Sequence, residues 1–451
     1  MVEADQTWLR RRLSRHLSEL VRLAWPVVVA RAGVMAMALV DIVMVGHFAT
    51  AELAYLGIGM APFMPVFLIL LGLLLGTAVM TSLALGEGNL TECGAVWRRS
   101  VPYSIGLGLL GTLATSFGEP MLLAAGQTEE LAVNGGRVMF FLGLGLPAYL
   151  LYVTTALFLE GIKNPKPAML MMLVANLVNI AFNWVLVYGH LGFPAMGAEG
   201  SAITSSLVRW LLMIGLIVYI WTMPGHEIYG IRLPAKGGWK DWAQQRRIGY
   251  SAAVSIGVES IAFSFLAMFA GWLGKVPLAA FSVAHNLLAM AFMVSLGFGS
   301  ATGIRVAIAG GRGDWSDRNL AGWTGVGANI IAMAGIGLIF ATLAPILASA
   351  YSNDMAVISA AIPLIVFCAI VAISDGGQAV MVHALRSSGG IWSPALIQSF
   401  CFLGLMVPLG WLLALHFQHG ILGLFQAMLI ASTTSLSLLS LRFIYIGRFP
   451  R

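Results

Sequence analysis

The stretch from Ala54 to Met80 reads AYLGIGMAPFMPVFLILLGLLLGTAVM, 27 consecutive residues without a charge. About 20 helical residues cross the ~30 Å hydrocarbon layer of a bilayer. Lipid offers no partner to an unpaired backbone group, so a stretch of this kind predicts a transmembrane helix. Comparable runs lie at 20–46, 96–118, 136–158, 167–189 and 198–222, then at 248–272, 278–304, 320–343, 357–382, 393–416 and 420–445. The fold class that follows is an all-α integral membrane protein with twelve transmembrane helices.

Composition agrees. Of 451 residues, 59% are hydrophobic and 10% charged, against about a quarter charged in soluble chains. The 52 glycines lie mostly inside the apolar runs, as close helix packing in lipid requires. A net charge of +6 raises the question of nucleic acid, but the basic residues sit between apolar runs and form no basic face interleaved with aromatics. No nucleic-acid partner is expected. Cys93, Cys368 and Cys401 make no CxxC pair and no disulfide framework. Arg10, Arg11 and Arg12 precede an apolar run longer than a signal peptide's and without its small-residue cleavage site, so a retained first span is expected.

The basic residues also set an orientation. With both termini cytoplasmic, 21 of the 25 fall in inner loops and tails, Arg137 and Lys275 fall outside, and Arg31 and Arg209 fall within spans. Inner loops carry such an excess in membrane proteins. The two sets of six spans repeat at a shift of 225: Gly46, Leu53, Ala54, Thr77, Ala84, Gly86 and Gly88 stand opposite Gly271, Leu278, Ala279, Thr302, Ala309, Gly311 and Gly313. Two pseudo-symmetric six-helix bundles are expected, an amino-terminal lobe over 1–222 and a carboxy-terminal lobe over 248–451, joined by a cytoplasmic linker at 223–247. Transporters with such repeats hold their sites near the repeat interface.

Ionisable residues inside spans are costly and are functional candidates by default. They are Asp41, Glu259 and Asp375, with Arg31 and Arg209 as basic counterparts; Glu160, Arg22, Arg305 and Arg386 lie nearer the cytoplasmic ends, where long side chains can snorkel. Asn179 and Asn183 are four apart and share a helix face. Two amide oxygens beside a carboxylate offer a small cation the hard ligands it prefers; the plainer alternative is hydrogen bonding between helices. For the acids the plainer alternative is a structural ion pair with Arg31 or Arg209. Low dielectric disfavours the charged form of a carboxylate, so an unpaired one can alternate between protonated and cation-bound states. Gly106, Gly108 and Gly111 spell GxGxxG, but within a span and without the preceding strand that dinucleotide binding needs. Gly72 and Gly76 form a packing GxxxG. His416 and His419 lack further metal ligands, and His285 reads as a packed polar residue.

Leu39-Val-Asp41-Ile-Val-Met-Val-Gly46 resembles the first-span acidic motif of the multidrug and toxic compound extrusion (MATE) family. Asn179-Ile-Ala-Phe-Asn183-Trp184, with Val187-Tyr188-Gly189 and Gly192, resembles its fifth-span motif. Ala279-Ala-Phe-Ser-Val-Ala284, Gly303-Ile-Arg305-Val306 and Ile373-Ser374-Asp375 resemble motifs of its NorM-type branch. The resemblance implies a V-shaped pair of six-helix bundles with alternating access, a secondary active exporter of organic cations or amphipathic drugs by antiport with protons or sodium, and no enzyme activity. It implies an amino-terminal coupling site at Asp41, Asn179 and Asn183 with a sixth-span hydroxyl, Thr204 or Ser205, of which Thr204 is taken, and a carboxy-terminal site at Glu259 and Asp375. No cofactor is implied, and no metal beyond sodium at these residues. The expected partners are small drugs or toxic metabolites and membrane lipid, around a monomer in the bacterial inner (cytoplasmic) membrane. Arg31 and Arg209 depart from the family pattern. They favour the alternative, a flippase of lipid-linked oligosaccharides or lipids in the same superfamily, whose phosphate needs basic residues. A major facilitator transporter would carry Gly-x-x-x-Asp-Arg between Gly86 and Arg99, and a membrane enzyme would need a nucleophile, base or metal cluster within the spans; neither is present.

Overall fold

In the computed structural model, which describes residues 2–234 and 238–448, the helices fall where the apolar runs place them. Lys236 and Arg451, counted above among the inner basic residues, lie outside it, as do the side chains of Arg10 and Arg11. Ten helices are long and apolar enough to cross a bilayer, and two bent pairs, Leu90–Thr115 with Gly118–Ala124 and Glu129–Leu144 with Leu146–Gly161, bring the number to twelve. The pairs bend by 51° and 42°. No strand occurs among the described residues, as lipid demands of a chain that closes no barrel.

Contacts divide the chain into two compact units, Val29–Ala253, called the first unit here, and Met1–Val28 with Val254–Arg451, the second. The first is cored by Leu56, Phe63, Phe67, Tyr149, Phe158 and Leu212. In the second, Leu266, Phe281, Phe340, Ile365, Phe402 and Phe425 form one cluster, and Val306, Leu385 and Phe443 belong to another. One span departs from regular α-helix for a covalent reason. Between Ser393 and His416 the helix widens into π turns at Phe400–Met406 and Leu412–His416, on either side of Val407–Trp411. Pro408 sits between them, and a proline there removes an amide donor and pushes its ring at the carbonyl one turn back.

The sequence repeat is a structural repeat. Gly88 and Gly313 both adopt the left-handed backbone, at φ 76° and 72°, which only glycine enters without strain. Each is followed by a side chain that caps the next helix, Asn89 Oδ1 accepting from the Glu92 amide at 3.1 Å and Asp314 Oδ1 from the Asp317 amide at 2.9 Å. Close packing repeats as well. A Cβ on Gly72 would stand 2.7 Å from the Ala253 Cα, and one on Gly297 would stand 3.1 Å from the Val28 nitrogen. Both pairs obey the shift of 225.

Within the second unit, the first part of the amino-terminal helix Val2–Phe48 is held by one carboxylate. Asp317, 1% exposed, receives Arg15 Nη2 at 2.8 Å, His16 Nε2 at 2.9 Å and Arg312 Nη2 at 2.7 Å. Arg12 adds ion pairs to Asp314 at 3.2 Å and to Asp317 at 3.5 Å. Asp317→Asn removes the charge these groups share. It should lower stability by roughly 2 kcal/mol, less than the ~3–5 of a fully buried pair because Arg15 and Arg312 are half exposed. Asp314→Asn, which keeps the cap, should stay within about 0.5 kcal/mol. Thermal melting of the purified protein in detergent measures both.

Candidate functional site

In the first unit the interior polar residues converge on one carboxylate. Asp41 is carried on Val2–Phe48, and its side chain is buried. Asn179 Nδ2 donates to its Oδ1 at 3.1 Å and Asn183 Nδ2 to the same oxygen at 2.6 Å. Asn183 Nδ2 also donates to Asn179 Oδ1 at 3.2 Å, so the two amides face the same way from helix Lys166–Leu186. Ser205, on Gly197–Thr222, donates to Asp41 Oδ2 at 2.7 Å. Thr204 is equally buried, but its Oγ1 has no hydrogen-bond partner. Thus Asp41, Asn179 and Asn183 come together, and the hydroxyl that touches Asp41 is that of Ser205, the neighbour of the one chosen from sequence. A turn of 100° separates consecutive helical side chains, and the sequence does not fix that rotation.

Three donors thus converge on one carboxylate. The shell is also incomplete on one side. Asn183 Oδ1 is buried without a partner, a condition that structures normally relieve with water or an ion. The oxygens in this cluster are those of the Asp41 carboxylate, the Asn179 and Asn183 amides and the Ser205 hydroxyl. That set suits a small monovalent cation, since it holds one negative charge and otherwise neutral oxygens. Among the described residues, no cluster of three His, Cys, Asp or Glu offers a site for a more highly charged metal.

The second unit holds the other two acids. Asp375 is buried on Met355–Ser387 and accepts from Gln378 Nε2 at 3.4 Å. Gln378 Oε1 in turn accepts from Gln398 Nε2 at 3.1 Å and Ser435 Oγ at 3.4 Å. Glu259, half-buried on Ala243–Trp272, lies within electrostatic reach of both Asp375 and Arg386. Arg386 Nη2 donates to Ser255 Oγ at 2.7 Å, one turn before Glu259. Of the four charged residues expected near helix ends, only Arg22 is exposed; Glu160, Arg305 and Arg386 are buried. The chain around Gln378 was not legible beforehand, because isolated glutamines carry no spacing signal.

The arginines do not pair with Asp41, whose hydrogen-bond partners are the two asparagines and Ser205. Arg209 instead donates from Nη1 to the Leu142 carbonyl at 2.8 Å, and its guanidinium carbon stands 5.4 to 5.6 Å from the Phe63, Phe67 and Tyr149 ring centres. Other sequence signals resolve into packing. His285 lies against Phe263 and Phe281. His416 stacks on Trp411, and His419 Nδ1 bonds Gln426 at 3.0 Å. Gly108 of the GxGxxG packs against the Pro147 backbone.

Many membrane-crossing helices, with interior charges gathered into small polar clusters, define a membrane transporter rather than a receptor for a rigid cofactor. The MatE family model matches residues 26–185 and 252–412. A probable multidrug resistance protein NorM of Caulobacter vibrioides is 35% identical over 432 residues, covering 95% of this chain and 91% of that protein. The multidrug resistance protein PmpM of Pseudomonas aeruginosa is 29% identical over 445 residues, covering 96% and 92%. Among solved structures, the eukaryotic MATE transporter AtDTX14 matches with a TM-score of 0.87 at 20% identity, over 96% of each chain. The chain belongs to the MatE family, whose members are transporters and not enzymes, and it is a multi-pass bacterial membrane protein.

The contrast between the two adjacent hydroxyls is testable without any transport assay. Ser205→Ala removes a bond to a carboxylate and should cost about 1.5–3 kcal/mol, whereas Thr204→Val removes an unpartnered hydroxyl and should be neutral or stabilising. Thermal melts of the two variants side by side give the comparison.

Proposed function

We propose that this protein exports small amphipathic molecules, drugs or toxic metabolites, by antiport with protons or sodium, and that Asp41 with Asn179, Asn183 and Ser205 is the coupling site of the first unit. The observation that carries the reading is the Asp41 shell. It brings three donors onto one carboxylate and leaves the Asn183 amide oxygen beside them without a partner. The names of the relatives, multidrug resistance proteins NorM and PmpM, support the export of drugs. Glu259 and Asp375 form a second coupling site, with Gln378 orienting Asp375. The basic residues of alternate loops support both termini in the cytoplasm, and the relatives' bacterial sources support the inner membrane as the location. The protein works as a monomer of two lobes, without a resident cofactor.

The test is transport by purified protein in liposomes, with proton and sodium gradients imposed separately. Asp41→Asn should fold and insert normally and lose gradient-driven export. Full export by a well-folded Asp41→Asn protein would refute the assignment. Asn183→Ala should weaken the cation dependence, and its combination with Asp41→Asn should be non-additive by about 0.5–3 kcal/mol, since the two share a contact.

The second site separates by ion. Glu259→Gln and Asp375→Asn should each reduce sodium-driven export while sparing much of the proton-driven component held by Asp41, if the pair shares a cation. If it shares a proton, each should instead shift the pH profile of export, because two interacting acids titrate as one unit. Unchanged rate, sodium response and pH profile in both variants would leave coupling to Asp41 alone.

A further inference from the structure

Within its spans the first unit carries Asp41 together with two guanidinium groups, Arg31 and Arg209. Asp41 is already held by three neutral donors, while Arg31 and Arg209 are half-buried and make no ion pair with it, Arg209 lying within electrostatic reach only. A guanidinium carries five N–H donors. Among the described residues, Arg209 spends one on the Leu142 carbonyl and finds no other hydrogen-bond acceptor. A charged group that keeps part of its surface uncovered within a span faces water or a ligand, since exposure to hydrocarbon is costly. Both arginines lie within electrostatic reach of Tyr149. The rings of Phe63, Phe67 and Tyr149 flank the Arg209 guanidinium, and all three are buried.

We infer that Arg209 and Arg31, with Phe63, Phe67 and Tyr149, form a subsite for the carboxylate-bearing aromatic part of a transported molecule. The guanidinium fork of Arg209 matches a carboxylate with two parallel hydrogen bonds, and its aromatic surround accepts a planar ring beside that carboxylate. Arg31 supplies the second charge. The preferred substrates are therefore aromatic zwitterions and acids rather than simple organic cations, and a permanent cation without a carboxylate meets two like charges here. The inference rests on the export reading above and adds the substrate class to it.

The experiment uses full-length protein in nanodiscs and a matched pair of fluorescent probes, a xanthene dye with a free carboxylate and its methyl ester. Fluorescence polarisation gives the affinity for each. The parent should bind the acid at least about tenfold tighter than the ester, one bidentate charge-assisted pair being worth that much. Arg209→Gln and Arg31→Gln should each erase or reverse the preference, and Arg209→Lys, which keeps the charge but loses the fork, should fall between. Because Arg209 also holds Leu142 and three rings, Arg31→Gln serves as the variant free of that packing role. An ester bound as tightly as the acid by the parent, or a ratio unmoved by either Gln variant, overturns the subsite. So does a preference that exists in phosphatidylcholine nanodiscs and vanishes in phosphatidylglycerol at salt high enough to screen the surface charge, since an anionic headgroup would then be the occupant. Gradient-driven export of both dyes, assayed alongside in the parent and in Asp41→Asn, reports on coupling separately: its failure with the binding preference intact refutes the export reading and not the anion subsite.

Discussion

Hydrocarbon cannot accept or donate a hydrogen bond, and the rest of this structure follows from that constraint. Backbone groups close their bonds within helices, so the described chain contains no strand. Side chains meet the same demand by gathering. Asp41 is served by two amides and a hydroxyl, Asp375 by a glutamine that is itself served by Gln398 and Ser435, and Arg386 by Ser255. These three buried charges bring neutral polar partners because none can be left to lipid.

The two acidic clusters solve this differently. Asp41 takes its hydrogen bonds from neutral groups, with the guanidinium of Arg209 within electrostatic reach. Glu259 has Asp375 and Arg386 within electrostatic reach, so any change at one of the three is felt by the others. One acid facing an arginine and two acids facing an arginine thus present different electrostatics in the two units.

Much of this architecture was legible in the residues. Apolar run length located the spans, including those that bend, and the four-residue spacing of Asn179 and Asn183 put both amides on one face. The choice between Thr204 and Ser205 was not legible, because adjacent positions differ by a helix rotation that only packing sets. The burial of Arg386 and Arg305 was also hidden, since a long basic side chain near a helix end reads the same whether it reaches water or folds inward. The grouping of the first 28 residues with the second unit depends on contacts such as His16 with Asp317, which lie 301 residues apart and leave no periodic trace. Nothing in the spacing of Gln378 and Gln398 announced that they would bond.

The repeat of 225 residues extends to the Gly88 and Gly313 turns, their caps and the close approaches of Gly72 and Gly297, but it stops short of the acids. At the positions corresponding to Asp41, Glu259 and Asp375 the other half carries Leu266, Val34 and Leu150. The scaffold is duplicated and the chemistry is not. A lesion at any of these carboxylates therefore has no spare copy in the opposite half, whereas a lesion in a shared turn strikes a device the chain possesses twice.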